Sequence, residues 1–546
     1  MPERGHVLAS EWRRVGLFAL AVMLLTSAPY FVGGLAAGDG WTYGGFLFGA
    51  DDGYSYLAKM RLGARGDWLF TVRYTSEPHE GALLFLPYIL LGKLAGLAVP
   101  PDDPGLFAAL VIVFHAARIV FGLLLIPVSY RFVAEFLRAP GLRFLALVLI
   151  TLGGGLGWLL SLAGLGDLFG SLPVDFYVPE GYSFLILYGL PHLALARAAL
   201  LGGLLLLFRA LGRPDTPRAW LPWSVLAGLA WGVMGLSVPF YIAVVYAVLG
   251  AWGLALWRRE RRFPWRLFWR AVIAALVVLP VLAYTGTVFL SNDVLGRWSG
   301  QNQLPSPHPL HYIFGYSVLA IPAVAALRWA WRKGTGEDAP YLLLAAWIVI
   351  VPVLVYLPIN VQRRLSEGVI VPLVVLAVAG LRLLISHRQQ WRRARTLVLL
   401  LALPTAILLW LGGLVSALQP DRPLFRPDAE LQALDTLDVL APPDAVVLSV
   451  KETGSVIPAR TDLIAYVGHV PETLDSEAKE QQAARFYAGA LDDAARWALL
   501  AQVDYVFYGP LEREADPAPG WDAGLRLLEP FDPSDPYRVY EVLRRD

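Results

Sequence analysis

Two adjacent carboxylates, Asp51 and Asp52, stand in the run Phe48-Gly49-Ala50-Asp51-Asp52-Gly53-Tyr54-Ser55-Tyr56. Carboxylates placed side by side can do two kinds of work. One takes a proton from an acceptor hydroxyl as a general base, or the pair holds a divalent cation (Mg or Mn) against a phosphate. A structural role competes, because aspartate is a favoured helix N-cap and Asp52 immediately precedes a helical pattern over 53–65. That pattern sets Tyr54, Leu57, Met60 and Leu62 against Lys59, Arg61 and Arg65. Such a composition suits a helix lying in a membrane interface near anionic head groups, with Trp68 anchoring its end.

Basic and imidazole side chains recur further on. Lys59, Arg73 and His79 follow the acid pair, His192 comes after Pro191, and Gln362-Arg363-Arg364 precedes Glu367. Arginine binds phosphate bidentately, so Arg363 and Arg364 read as a phosphate clamp with Glu367 as its orienting partner. The competing reading is a pair of snorkelling arginines at a helix end. His308 and His311 could ligate a metal or serve the loop's own structure. His115 and Arg118 lie three apart on one helical face, at membrane depth or at its interface.

These residues need elements to hold them, and composition says which. The chain has 546 residues, 57% hydrophobic and 16% charged, against roughly 45–50% and 25% for soluble domains. A formal net charge of +1 argues against a nucleic-acid binder, and the absence of cysteine removes disulfides and thiolate metal sites. Apolar stretches long enough to span a bilayer run over 15–37, 142–163, 184–210, 219–236, 238–257, 266–290, 312–331, 341–358, 368–386 and 396–418. Backbone satisfaction in lipid makes them helices. An eleventh span is expected at 119–137, with 81–117 a hairpin that dips in and returns; the range is 10–13. Arginine-rich loops placed in the cytoplasm put the N-terminus inside and the C-terminus outside.

Two domains follow: a transmembrane domain over 1–418, whose first outer loop 38–80 carries the acids, and an extracytoplasmic α/β domain over 419–546. Within the latter, 445–450, 505–508 and 538–542 read as strands and 429–440 and 476–487 as amphipathic helices. The fold class is an all-α polytopic membrane bundle with a small C-terminal α/β domain.

The run Ala50-Asp51-Asp52-Gly53-Tyr54, followed by Gly66-Asp67-Trp68, resembles the first outer loop of the GT-C glycosyltransferases, the multi-span enzymes that include protein O-mannosyltransferases and aminoarabinose transferases. Pro191-His192, Gln362-Arg363-Arg364 and Val503-Asp504-Tyr505-Val506 are looser similarities. The resemblance implies a sugar carried on a polyprenyl phosphate and transferred on the outer face of the membrane to an acceptor it does not identify. It makes Asp51 or Asp52 the base or cation contact, and gives the leaving phosphate to Lys59, Arg73, His79, His192, Arg363 and Arg364, with Glu367 beside them. A divalent cation is optional in that group. Two other classes compete: a lipid or small-molecule transporter or flippase, which would carry ionisable residues at the midplane and matching halves, and a non-catalytic scaffold with an outer binding domain.

Overall fold

The computed structural model describes residues 5–333, 340–514 and 521–543. Among the described residues nine helices are long and apolar enough to cross a bilayer: Ala9–Ala36, Leu106–Ala134, Pro191–Leu211, Pro217–Ser237, Tyr241–Glu260, Trp265–Ser291, Pro309–Arg332, Gln362–Leu384 and Arg388–Ala417. The protein is a polytopic helical membrane protein with a small C-terminal sheet region. Two of the eleven expected spans form shorter helices, Pro140–Leu152 and Tyr341–Leu354. The first stops at Gly153-Gly154-Gly155, where glycine makes an extended backbone cheap to adopt, and Gly153 takes it (φ −74°, ψ 134°). The second ends shortly before Pro358, as helices commonly do.

The expected hairpin at 81–117 is corrected. Residues Leu106–Val133 form one continuous helix straight through Arg118. A charge inside an apolar run suggests an interface, but here the guanidinium is buried and satisfied by protein. It donates to Thr26 Oγ1 at 3.1 Å, Ser27 Oγ at 2.6 Å and the Leu187 carbonyl at 3.1 Å.

The chain forms two compact units. One comprises Met1–Ala28, Ala116–Gly286 and Gln303–Gly412; the other comprises Pro29–His115, Thr287–Asn302 and Gly413–Asp546. The acidic loop thus shares a unit with the C-terminal segment, although the sequence reading groups it with the spans. In the first unit Arg197 and Glu367 form a wholly buried ion pair at 2.6 Å. Buried charges survive only when fully paired, and Arg197 also donates to Ser183 Oγ and the carbonyls of Pro179 and Glu180.

Among the described residues there are seven strands, and the second unit holds them. β1 (Trp41–Tyr43) pairs antiparallel with β2 (Phe425–Pro427). The others are β3 (Val446–Leu448), β4 (Ile464–Ala465), β5 (Tyr505–Tyr508), β6 (Leu525–Leu527) and β7 (Arg538–Val542), in the order β4-β3-β5-β7-β6. β3 runs parallel to β4 and β5, whereas β7 is antiparallel to β5 and β6. The acid-bearing helix, Ala50–Ala64, lies largely buried in this unit and crosses the helix Leu86–Gly96 at close range. Two glycines permit the crossing. A Cβ on Gly63 would stand 2.0 Å from the Ile89 carbonyl oxygen, and one on Gly92 would stand 1.7 Å from that of Met60. Backbone on both sides cannot yield as a flexible side chain would. Gly92→Ala is therefore expected to cost about 3 kcal/mol or more, seen as a lowered unfolding midpoint of the full chain in detergent. An unchanged midpoint would mean that the two helices can part without loss.

Candidate active site

The helix Ala50–Ala64 begins where Gly49 takes a left-handed conformation (φ 55°). Glycine adopts this conformation without the penalty a Cβ brings. Gly49, not Asp52, is thus the N-cap residue, and Asp51 and Asp52 sit inside the first turn. There the unpaired amides and the helix dipole favour negative charge.

From Asp52 the helical period places Ser55 and Lys59 on the same face. All three meet the segment after β4, Gly468 to Thr473. His469 Nε2 lies 2.9 Å from Asp52 Oδ1, and His469 Nδ1 lies 3.5 Å from Glu472 Oε1. Glu472 Oε1 also accepts from Ser55 Oγ at 2.6 Å and Lys59 Nζ at 2.5 Å. The side chains of Lys59, Glu472 and His469 are 2%, 5% and 6% exposed, that of Asp52 55%. A buried chain of charges thus ends on one solvent-reaching carboxylate. Asp51 is half-buried, and among the described residues no hydrogen bond or ion pair engages its carboxylate.

Electrostatics fix the protonation of this chain. Burial alone would push the His469 imidazole down, but its bonds to Asp52 and Glu472 outweigh burial and raise it to about 9. Burial would push Glu472 up, yet Lys59 and His469 hold it at about 2. His469 is therefore an imidazolium at neutral pH, with Nε2 donating to Asp52 and Nδ1 set 3.5 Å from the Glu472 carboxylate. Its folded value lies above the ordinary 6.5, so its stabilisation is complete below pH 6.5 and is lost as pH rises through about 9. The loss amounts to up to about 3 kcal/mol. Glu472 works oppositely: its contribution is full above 4.5 and disappears as pH falls towards 2. The unfolding midpoint of the full chain is expected to fall on the alkaline side between pH 6.5 and 9, and His469→Gln should flatten that limb. A variant limb as steep as the native one would assign it to other groups.

The structure brings some sequence-identified residues together and sets others elsewhere. Lys59 faces Glu472, not solvent. Arg73 is buried, with Nη1 2.7 Å from Asp444 and Nη2 donating to the Asp462 carbonyl at 2.7 Å. His79 serves its own turn, its Nε2 accepting from the Val72 amide and its Nδ1 lying 2.9 Å from the Glu77 carbonyl. The expected interface helix with a basic outer face is corrected too. Arg61 bonds Asp438 (2.9 Å) and Asp462 (2.6 Å), and Arg65 bonds Asp444 (3.0 Å), so its cations meet protein carboxylates instead of lipid.

In the other unit His192 is half-buried at the second position of Pro191–Leu211. Arg363 packs 5.0 Å over the Tyr177 ring, and Arg364 Nε lies 3.5 Å from Glu180 with 41% of its side chain exposed. Glu367 does not orient them, because Arg197 holds both its oxygens at 2.6 and 2.9 Å. His311 Nε2 lies 2.6 Å from the Leu168 carbonyl and His308 stacks on Phe169. Among the described residues no group of three or more His, Asp or Glu side chains is arranged to hold a metal ion. Sequence reasoning missed His469, Glu472 and Arg197. A signal for the first two was present: two ionisable residues three apart in Gly468-His469-Val470-Pro471-Glu472, directly after an apolar strand.

In fold, this bundle of long apolar helices with a terminal α/β segment is similar to solved membrane proteins. The oligosaccharyltransferase AglB from Archaeoglobus fulgidus, solved with an inhibitory peptide and a dolichol-phosphate, is similar with a TM-score of 0.51 and 14% identity, over 96% of this chain and 74% of that one. An oligosaccharyltransferase from Archaeoglobus fulgidus tethered to an acceptor peptide with an NVT sequon also gives 0.51 and 14%, covering 94% and 73%. ArnT from Cupriavidus metallidurans bound to undecaprenyl phosphate gives 0.46 and 16%, covering 98% of each chain. No family model and no curated protein matches the sequence.

Proposed function

We propose that the chain is a membrane glycosyltransferase that moves a sugar from a polyprenyl-phosphate carrier to an acceptor on the outer face of the membrane. The observation that carries this reading is the division of labour within the acid pair. Asp52 is oriented by a buried, charged chain, while Asp51, one residue away, is left unengaged by the described residues. A carboxylate of that kind is suited to take the acceptor's proton. In that step the acceptor's oxygen or nitrogen bonds to the sugar's anomeric carbon as the bond from that carbon to the phosphate oxygen breaks. The electron pair leaves with the phosphate, and Asp51 holds the proton. Asp52 is a positioning residue, its carboxylate held by His469. A divalent cation would be held by Asp51 with Asp52 as second carboxylate, completing its shell from water or phosphate, and would stabilise the departing charge. Arg364, partly exposed, remains a candidate phosphate contact of its own unit.

The test is to purify the full chain in nanodiscs, identify co-purifying lipid by mass spectrometry, and then supply polyprenyl-phosphate sugars with candidate acceptors. A bound polyprenyl phosphate and acceptor-dependent loss of sugar from the carrier are expected. Absence of both across the donor set would overturn the reading.

A further inference from the structure

A second feature lies wholly within the unit that holds Ala116–Gly286 and Gln303–Gly412. The helices Tyr241–Glu260, Pro309–Lys333 and Tyr341–Leu354 enclose a groove of about 630 Å³. Small-molecule clefts occupy about 300–1,000 Å³, so the groove is larger than a packing defect. Small side chains create it: Ala251 and Ala255 on one helix, Ala345 and Ala346 on another. At one end stand Arg258, Arg328 and Arg332 with Trp331, and the remaining wall is aliphatic.

Helical spacing explains why all the charge gathers at that end. Ala251, Ala255 and Arg258 form one stripe along the first helix, and Arg328 and Arg332 lie one turn apart near the end of the second. The helix ends are tied together by Arg259, which donates to the carbonyls of Ala330 (3.4 Å) and Arg332 (2.7 Å). Among the described residues no carboxylate pairs with Arg258, Arg328 or Arg332, and all three side chains are exposed.

We infer that this groove binds an anionic phospholipid, acyl chain along the alanine floor and phosphodiester between the arginines. Charge complementarity selects the occupant. An apolar trough is filled by any lipid tail, but three guanidinium groups at its mouth that no described carboxylate pairs favour a head group with net negative charge. Trp331, half-exposed beside them, suits the boundary between tail and head group. The alternative use of these arginines, as snorkelling ends that need no groove, predicts no dependence on the floor.

The experiment compares the full chain in nanodiscs of pure phosphatidylcholine with nanodiscs of phosphatidylcholine and phosphatidylglycerol, followed by gentle release into detergent and native mass spectrometry. The native chain should retain phosphatidylglycerol in preference to phosphatidylcholine. Each arginine replaced by glutamine should weaken the preference roughly fivefold. Ala346→Leu keeps every charge but fills the floor, and should lose the retained lipid while the chain stays folded; it carries the test should an arginine-to-glutamine variant fail to fold. Equal retention of the two lipids, an undiminished preference in Ala346→Leu, or displacement of the lipid by inorganic phosphate alone would overturn the inference.

Discussion

Asp51→Asn is expected to lower sugar transfer by about 10²–10⁴-fold, the range general-base removal produces, while the chain elutes and unfolds as the native protein does. Asparagine is nearly isosteric, sits equally well in the first turn, and leaves the His469–Asp52 link untouched. It lacks only the capacity to hold a proton at neutral pH. Because the lost interaction belongs to the reacting step, kcat should carry the fall and KM should change little. Asp52→Asn is expected to behave differently. Its amide oxygen can still accept from the His469 imidazolium, so a loss nearer tenfold is expected, together with a shift in the alkaline limb of the pH–rate profile. In the native chain that limb should lie near 9, where His469 gives up the proton that orients Asp52. Full transfer by Asp51→Asn would remove it from the chemistry. Equal and complete loss in both variants would mean that the pair acts jointly, as two ligands of one cation would.

How far the sequence discloses this arrangement depends on the range of the interactions. Local periodicity is enough for the C-terminal region: the strands expected at 445–450, 505–508 and 538–542 and the helices at 429–440 and 476–487 recur within one or two residues. β4, with two residues, and β6, with three partly exposed ones, are too short to show a period. The sequence alone argues for a break in the helix at Arg118, because a charge in an apolar run suggests water and nothing local reveals Thr26, Ser27 and Leu187 as its partners. Lys59, Arg61 and Arg65 give the same helical pattern whether they face phosphate head groups or the carboxylates of Glu472, Asp462 and Asp444. Only tertiary structure separates those cases. The acid pair is legible because both members are adjacent; its partner His469 lies 417 residues from Asp52, and no local signal spans that distance.

Glu472→Gln should be the most destabilising single change in the buried chain. Its carboxylate faces Lys59, Ser55 and His469 at once, and glutamine removes the only negative charge between two cations. Breaking a buried ion pair by removing one partner typically costs about 3–5 kcal/mol, because the survivor stays buried and unpaired. Here Lys59 is the survivor left without a carboxylate, while His469 keeps only Asp52. Relief must come from loss of a proton by His469, which also frees Asp52 from its imidazolium, so transfer should fall along with stability. The alkaline loss of stability seen in the native chain should shrink in the variant, since much of what raises His469 has gone. Pairing the change with Lys59→Met separates charge from packing. If the uncompensated ammonium is the cause, the double variant should regain much of the lost unfolding midpoint, with a coupling outside simple additivity. If the two losses simply add, Glu472 matters through its shape and its bond to Ser55, and the charged chain would not be what holds Asp52 in place.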